Sequence, residues 1–201
     1  MRRKRRIAIF ISGRGSNMAA LAASCASGVL RDLCEIVLVL SDRPDAAGLA
    51  VAKRLGLPTA CLPSQGRERG AFEREVITLL EPFQVDFIVL AGFRRILSSV
   101  LIGEFRNRII NIHPADPAVY RGLDGYRHAF ERRLSRTVVT VHLVDEGVDT
   151  GTVLGRCEVD LTGAETLEDV ERRGLDVEHA FYSRVLASHF AAQAETPLSE
   201  E

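Results

Sequence analysis

Residues 85–92 read VDFIVLAG, and this run decides the fold. Phe87, Ile88, Val89 and Leu90 follow one another without a polar break. A strand with one wet face alternates apolar and polar residues. An unbroken apolar run predicts a strand covered on both sides, the habit of parallel sheets flanked by helices. Working outward, RIAIFIS (6–12), EIVLVLS (35–41), PTACLP (58–63) and RIINIH (108–113) read as further strands. Helical segments separate them: Ser16 to about Ser27, residues 44–56 and residues 70–83. Pro44 opens the second of these and Gly56 closes it, while Pro82 stops the third.

This alternation predicts an α/β fold: an open, mostly parallel, Rossmann-like sheet with helices on both faces and right-handed crossovers. Past residue 120 the pattern changes. GYRHAFERRL (125–134) reads as a helix, and TVVTVHLV (137–144) alternates like a strand with one wet face. VLGRCEVDL (153–161) is expected to pair with it across DEGVDTGT, forming an antiparallel C-terminal strand pair. Residues 166–190 read as one long helix, with Gly174 a candidate point of interruption.

The 201 residues are expected to form a single domain over 1–201, with a basic N-terminal extension (1–6) and a polar tail (191–201). The opening MRRKRR is followed by a strand too short for a secretory apolar segment, and reads as a solvated extension rather than a contact for an anionic partner. A net charge of −1 excludes a strong general field for nucleic acid. No apolar run reaches membrane-spanning length. Cys25, Cys34, Cys61 and Cys157 show no C-x-x-C pair and fit reduced, buried thiols of a cytoplasmic protein; their spacing supports no zinc site or disulfide framework.

Two stretches carry chemistry. ISGRGSNMAAL (11–21) joins the first strand to the first helix, and Gly13 and Gly15 open backbone conformations closed to other residues. Ser16 and Asn17 are good capping types, and the amides of such a helix start can hold a phosphate. Met18 stands where a dinucleotide fingerprint needs its third glycine, and no Gly-Lys-Ser/Thr follows. The loop therefore favours one phosphate group over a pyrophosphate. A tight turn that binds nothing fits the same residues equally well.

The second stretch is RIINIHPADPAVYRGL (108–123). Asn111 and His113 lie two apart on one strand and so share a face, and Pro114 ends the strand at once. In open α/β sheets ligands bind beyond the carboxyl ends of the strands. An amide beside an imidazole suits a developing oxyanion. Asp149, in the glycine-flanked turn VDEGVDTG (144–151), is an acid that can meet His113, with Asp145 and Glu146 as rivals. No G-x-S-x-G nucleophile elbow is present, so the set suggests acid–base chemistry with oxyanion stabilisation. RERGAFERE (67–75) reads as a solvated helix face apart from Arg69, His142 as a residue that packs or orients the Asp149 turn, and His128 as exposed.

ISGRGSN, VLAGFRRIL, INIHP, VHLVDEGVDTG and EHAFY occur in one order with compatible spacing over about residues 7 to 190. In this the chain resembles the phosphoribosylglycinamide formyltransferases, folate-dependent enzymes of purine synthesis. The resemblance implies catalytic roles for Asn111, His113 and Asp149. It implies a substrate phosphate and ribose site at Gly15, Ser16, Asn17, Arg69 and Glu178, and a folate pocket at Arg95, Ile96, Leu97, Asp145 and Val148. It implies 10-formyltetrahydrofolate as co-substrate and no metal. The expected partners are small molecules, not nucleic acid or membrane, with the chain a monomer or homodimer. The chain departs from the family pattern at Ala115–Ala118 (with Asp116 beside the site), at Asp124, at Thr152 and at Leu175.

Those departures keep a second acceptor class in view, an amino sugar nucleotide. A methionyl-tRNA formyltransferase would need an RNA-binding domain for which neither length nor charge leaves room. A non-catalytic module that senses a phosphorylated metabolite is the rival of a different class. A NAD(P)-dependent oxidoreductase is disfavoured by Met18, with Asp42 its one candidate ribose acid.

Overall fold

A computed structural model describes residues 3–195 of the chain. Seven strands form one sheet: β1 (Arg5–Ile11), β2 (Cys34–Ser41), β3 (Thr59–Cys61), β4 (Phe87–Leu90), β5 (Ile109–His113), β6 (Arg136–Leu143) and β7 (Val153–Asp160). The helices are α1 (Ser16–Ser27), α2 (Ala47–Arg54), α3 (Arg69–Leu80), α4 (Ser99–Glu104), α5 (Gly125–Glu131) and α6 (Leu167–Glu195). The strand order is β3-β2-β1-β4-β5-β6-β7. The first five strands are parallel; β6 runs antiparallel to β5, and β7 to β6. The order reverses between β1 and β4, which opens a crevice at their carboxyl ends.

Alternation along β1 feeds two cores. Ile7, Ile9 and Ile11 pack with α1, α2 and α6 residues such as Met18, Leu49 and Leu186. Ala8 and Phe10 pack on the other face with Phe72 and Val76 of α3 and Leu101 of α4. Phe87, Ile88, Val89 and Leu90 of β4 are all buried, because both faces are covered as their unbroken run predicts.

Several expectations change. β6 has no wet face: Val139, Thr140, Val141 and His142 are all buried, Val139 and Val141 in the core that α6 shares and Thr140 under the chain at Ala115. Arg5 and Arg6 belong to β1 rather than to a solvated extension, and Arg6 pairs with Glu35 at 2.6 Å. Residues 1–2 of that extension lie outside the described residues. The expected polar tail begins helical, α6 continuing to Glu195; residues 196–201 lie outside the described residues. α6 is also uninterrupted at Gly174. A β-carbon there would collide with the Tyr126 ring, so this glycine makes room for a neighbour instead of breaking the helix. Of the four free thiols only Cys34 is buried; Cys61 is exposed and the other two are half-buried.

α4 was not legible in the sequence because its local cap, Ser98 accepting from the Val100 amide at 3.3 Å, is itself held from elsewhere. Its six residues are too few to hold a helix by propensity. Glu73 of α3, fully buried rather than on a solvated face, accepts from the amides of Ser98 (2.7 Å) and Leu101 (3.1 Å) and from the Ser98 hydroxyl. This clamp fixes the segment that leads from β4 into α4. Among the described residues no helix is long and apolar enough to cross a membrane.

Glu73→Ala strands two amide donors and is expected to cost about 3 kcal/mol in denaturant melts. The exposed Glu75→Ala should stay within about 0.5 kcal/mol. Equal effects would contradict the clamp.

Candidate active site

The site grows from the antiparallel pairing of β5 with β6. That register sets Asn111 opposite His142 and His113 opposite Thr140. Pro114 then leaves the sheet, and Thr140 Oγ1 donates to the Ala115 carbonyl at 2.9 Å, fixing the chain just past His113. The β6–β7 connection brings Asp149 back over the strand end, with a positive φ of 51° that short polar side chains tolerate.

Asp149 sits between two imidazoles. Its Oδ2 lies 3.6 Å from His113 Nδ1 and its Oδ1 lies 3.4 Å from His142 Nε2. The Gly122 amide donates to Oδ2 at 3.0 Å. Burial pushes the Asp149 carboxyl up, but the hydrogen bonds from His142 and Gly122 and the charges of His113 and His142 outweigh it, and the net direction is down.

The histidine partners assign hydrogens. His113 Nε2 lies 3.0 Å from the Tyr120 carbonyl, and His142 Nδ1 lies 2.8 Å from the Leu143 carbonyl. A carbonyl only accepts, so both nitrogens carry hydrogen. His113 Nδ1 is left facing the Asp149 carboxylate. His142 Nε2 lies between Asp149 and Asn111 Nδ2, 3.2 Å away. Neutral, it accepts from Asn111; protonated, it donates to Asp149. His142 is thus part of the cluster as well as a support for the turn.

Asn111, His113, His142 and Asp149 line one wall of a cavity of about 560 Å³, within the range of small-molecule sites. Arg95, Ile96, Leu97, Asp145 and Val148 line it too, so the expected folate residues are brought together. Ile96 is half-exposed there, an apolar surface open to a ligand. Of the rival acids, Asp145 is turned into its own loop, accepting from Gly147 N (3.1 Å) and Thr150 Oγ1 (2.6 Å).

At the other end stand Gly13 and Arg14. Gly15 caps α1 at φ 77° with no side-chain hydrogen bond, and no acid lies in the first turn. Those free amides suit an anion. A β-carbon on Gly15 would also come within 2.8 Å of Gly48 Cα, so the loop is wedged against α2.

None of the five residues expected at the phosphate and ribose site lines the cavity itself: Gly15, Ser16 and Asn17 lie at the start of α1 next to Gly13 and Arg14, and the other two stand further off. Arg69, at the head of α3, lines a hollow with Arg67, Arg94 and Arg95, the last two of which also line the cavity. Glu178 is buried and does not line the cavity; its oxygens accept from Asn17 Nδ2 and from the Tyr126 hydroxyl. Burial pushes its carboxyl up, against those two bonds. Tyr126 lines the cavity in its place.

The departures in sequence also find roles. Asp116 accepts from the Ala118 amide at 2.9 Å and lies 3.6 Å from Arg156, a turn former outside the catalytic cluster. Asp124 pairs with Arg94 at 2.6 Å. His128 is half-buried, stacked on Tyr120 with ring centroids 4.2 Å apart. Asp42 accepts from the hydroxyls of Ser12 (2.6 Å) and Ser64 (2.9 Å), so it is occupied in tying β1 to the loop after β3 and is not presented to a nucleotide ribose. Among the described residues no group of three or more His, Cys, Asp or Glu has metal-holding geometry.

Comparison with known proteins places the chain among others of its kind. The profile of the formyl transferase family matches residues 5–186. The chain is 31% identical to the phosphoribosylglycinamide formyltransferase of Bacillus subtilis, over 90% of this chain and 93% of that protein. It is 34% identical to the trifunctional purine biosynthetic protein adenosine-3 of Drosophila melanogaster, covering 92% of this chain but 14% of that larger protein. A crystal structure of phosphoribosylglycinamide formyltransferase from Bacillus halodurans superposes with a TM-score of 0.88 at 35% identity, over 95% of this chain and 97% of that one.

A carboxylate held down by its neighbours sets a sign for pH dependence. Asp149 contributes stability fully above the ordinary aspartate pKa, about 3.9, and loses it as pH falls through the lowered value. The gap in Tm between wild type and Asp149→Asn should therefore close only below about pH 4. A gap already closed at about pH 5 would contradict the lowered carboxylate.

Proposed function

The chain belongs to the formyl transferase family, and from that premise we propose that it transfers the formyl group of 10-formyltetrahydrofolate to the primary amine of glycinamide ribonucleotide. The observation that carries this reading is the Asn111–His113–Asp149 cluster on the wall of a cavity that also holds Arg95, Ile96 and Leu97. The folate ring system lies against that last segment and the 145–148 turn. The acceptor lies towards Gly13 and Arg14, its phosphate on the amides of Gly15, Ser16 and Asn17.

The amine attacks the formyl carbon in its neutral form. A carbon–nitrogen bond forms and negative charge grows on the formyl oxygen. His113, oriented by Asp149 at Nδ1, donates to that oxygen from Nε2, which exchanges the Tyr120 carbonyl for it. Asn111 supplies a second hydrogen bond. Asp149 takes the proton the amine sheds. The tetrahedral species then collapses, and the bond to the folate nitrogen breaks as that nitrogen takes up the proton that Asp149 had accepted. No covalent enzyme intermediate is required. The folate brings only the formyl group; this chain's residues orient it and stabilise the charge.

Removing one oxyanion donor costs on the order of a hundredfold in rate, roughly 3 kcal/mol. Asn111→Ala is expected to lower kcat by about that factor. His113→Ala and Asp149→Asn each disable both charge stabilisation and proton movement, and should lower kcat at least as far. Release of tetrahydrofolate under saturating substrates reads all three, and near-normal turnover in His113→Ala would overturn the assignment.

A further inference from the structure

Cys25 and Cys34 share no sequence motif, yet they meet in the fold. Cys25 lies in the last turn of α1 and Cys34 opens β2. Between them the chain folds back through a turn, where the Leu33 and Cys34 amides donate to the Leu30 carbonyl at 3.0 and 3.1 Å. Leu30 is fully buried and pins that turn to the core. The two sulfurs come to rest 3.6 Å apart, and both thiols are free. They are not equivalent. The bond to Cys25, together with burial, pushes the Cys34 thiol up. The same bond, with the charge of Lys4, holds the Cys25 thiol below its ordinary value against its partial burial. Cys25 is therefore the better thiolate, and as the half-buried member of the pair it is the one a small oxidant meets first.

We propose that Cys25 and Cys34 form a reversible disulfide, a redox modification site that ties the end of α1 to the start of β2. A disulfide holds its sulfurs about 2.05 Å apart, so from 3.6 Å each has to move less than about 1 Å. Residues 28–33, which form neither helix nor strand, absorb that shift. The oxidant is a small hydroperoxide such as hydrogen peroxide. The Cys25 thiolate attacks one peroxide oxygen, the O–O bond breaks, and the departing hydroxide takes a proton from solvent to become water. The Cys34 sulfur then attacks the sulfenic acid left on Cys25. The sulfur–oxygen bond breaks, the hydroxyl leaves as a second water with the Cys34 proton, and the sulfur–sulfur bond forms. The two sulfurs lose two electrons and the peroxide gains them. A dithiol reverses the step. The pair lies away from the cavity, with Cys25 about 15 Å along α1 from Gly15. Oxidation therefore acts on stability rather than on the chemistry of the cavity.

The test treats the native chain with hydrogen peroxide, blocks the remaining thiols with an alkylating agent and maps the peptides by mass. The expected product has lost two hydrogens and joins the Cys25 and Cys34 peptides, with Cys61 and Cys157 alkylated. Closing this short loop should raise Tm by about 5 °C, and dithiothreitol should return it. Cys61→Ser, which removes the exposed thiol, should behave as wild type. Cys25→Ser should show neither the mass loss nor the gain in Tm. Wild type needs no substitution to report, so a variant that fails to fold does not shield the proposal. Cys34 still alkylated while Cys25 climbs to the sulfinic acid, dimers joined through Cys61, or a joined pair with no gain in Tm would each overturn it.

Discussion

The antiparallel register between β5 and β6 is the constraint on which the rest of the site depends. It places Asn111 directly across from His142 and leaves His113 at the strand end. Parallel neighbours supply only loops at their carboxyl ends; one antiparallel partner brings a second histidine from within a strand. The same reversal sends the chain out through the 144–151 turn, so Asp149 returns to both imidazoles. A one-residue slip would turn His142 to the opposite face and dissolve the cluster.

Around that centre the fold works as a set of clamps. Asp42 holds the Ser12 and Ser64 hydroxyls, and Ser12 Oγ in turn accepts from the Arg94 amide at 2.9 Å. Glu73 holds the start of α4. Together they fix both ends of the segment that carries Arg95, Ile96 and Leu97. Tyr182 of α6, fully buried, reaches the carbonyls of Leu90 and Ile110 at 3.0 Å each and ties the last helix to β4 and β5. The Asp42, Glu73 and Tyr182 side chains are thus satisfied across elements, which braces the cavity wall.

Much of this was legible in the sequence, for reasons that differ by residue. The unbroken run at 87–90 and the alternation around it announce a parallel sheet because burial on both faces leaves no room for polar residues. Asn111, His113 and Asp149 stand out because a strand end, a proline and a glycine-flanked turn mark where chains leave the sheet. What was hidden depends on distance in space. The start of α4 is braced by Glu73, 25 residues before Ser98, and no local pattern reports that. Gly174 looks like a helix breaker until Tyr126 is seen over it. Glu178 looks like a ligand carboxylate until Tyr126 and Asn17 are seen to occupy it.

The central claim is that the carbon bound to the folate ends on the acceptor's amine. The most direct measurement is carbon NMR of a reaction in which the formyl carbon of 10-formyltetrahydrofolate is isotopically labelled and glycinamide ribonucleotide is the acceptor. The account predicts that the label moves to an amide of the ribonucleotide, in step with tetrahydrofolate and without free formate. Label that stays on the folate, or that appears only as formate, would contradict it.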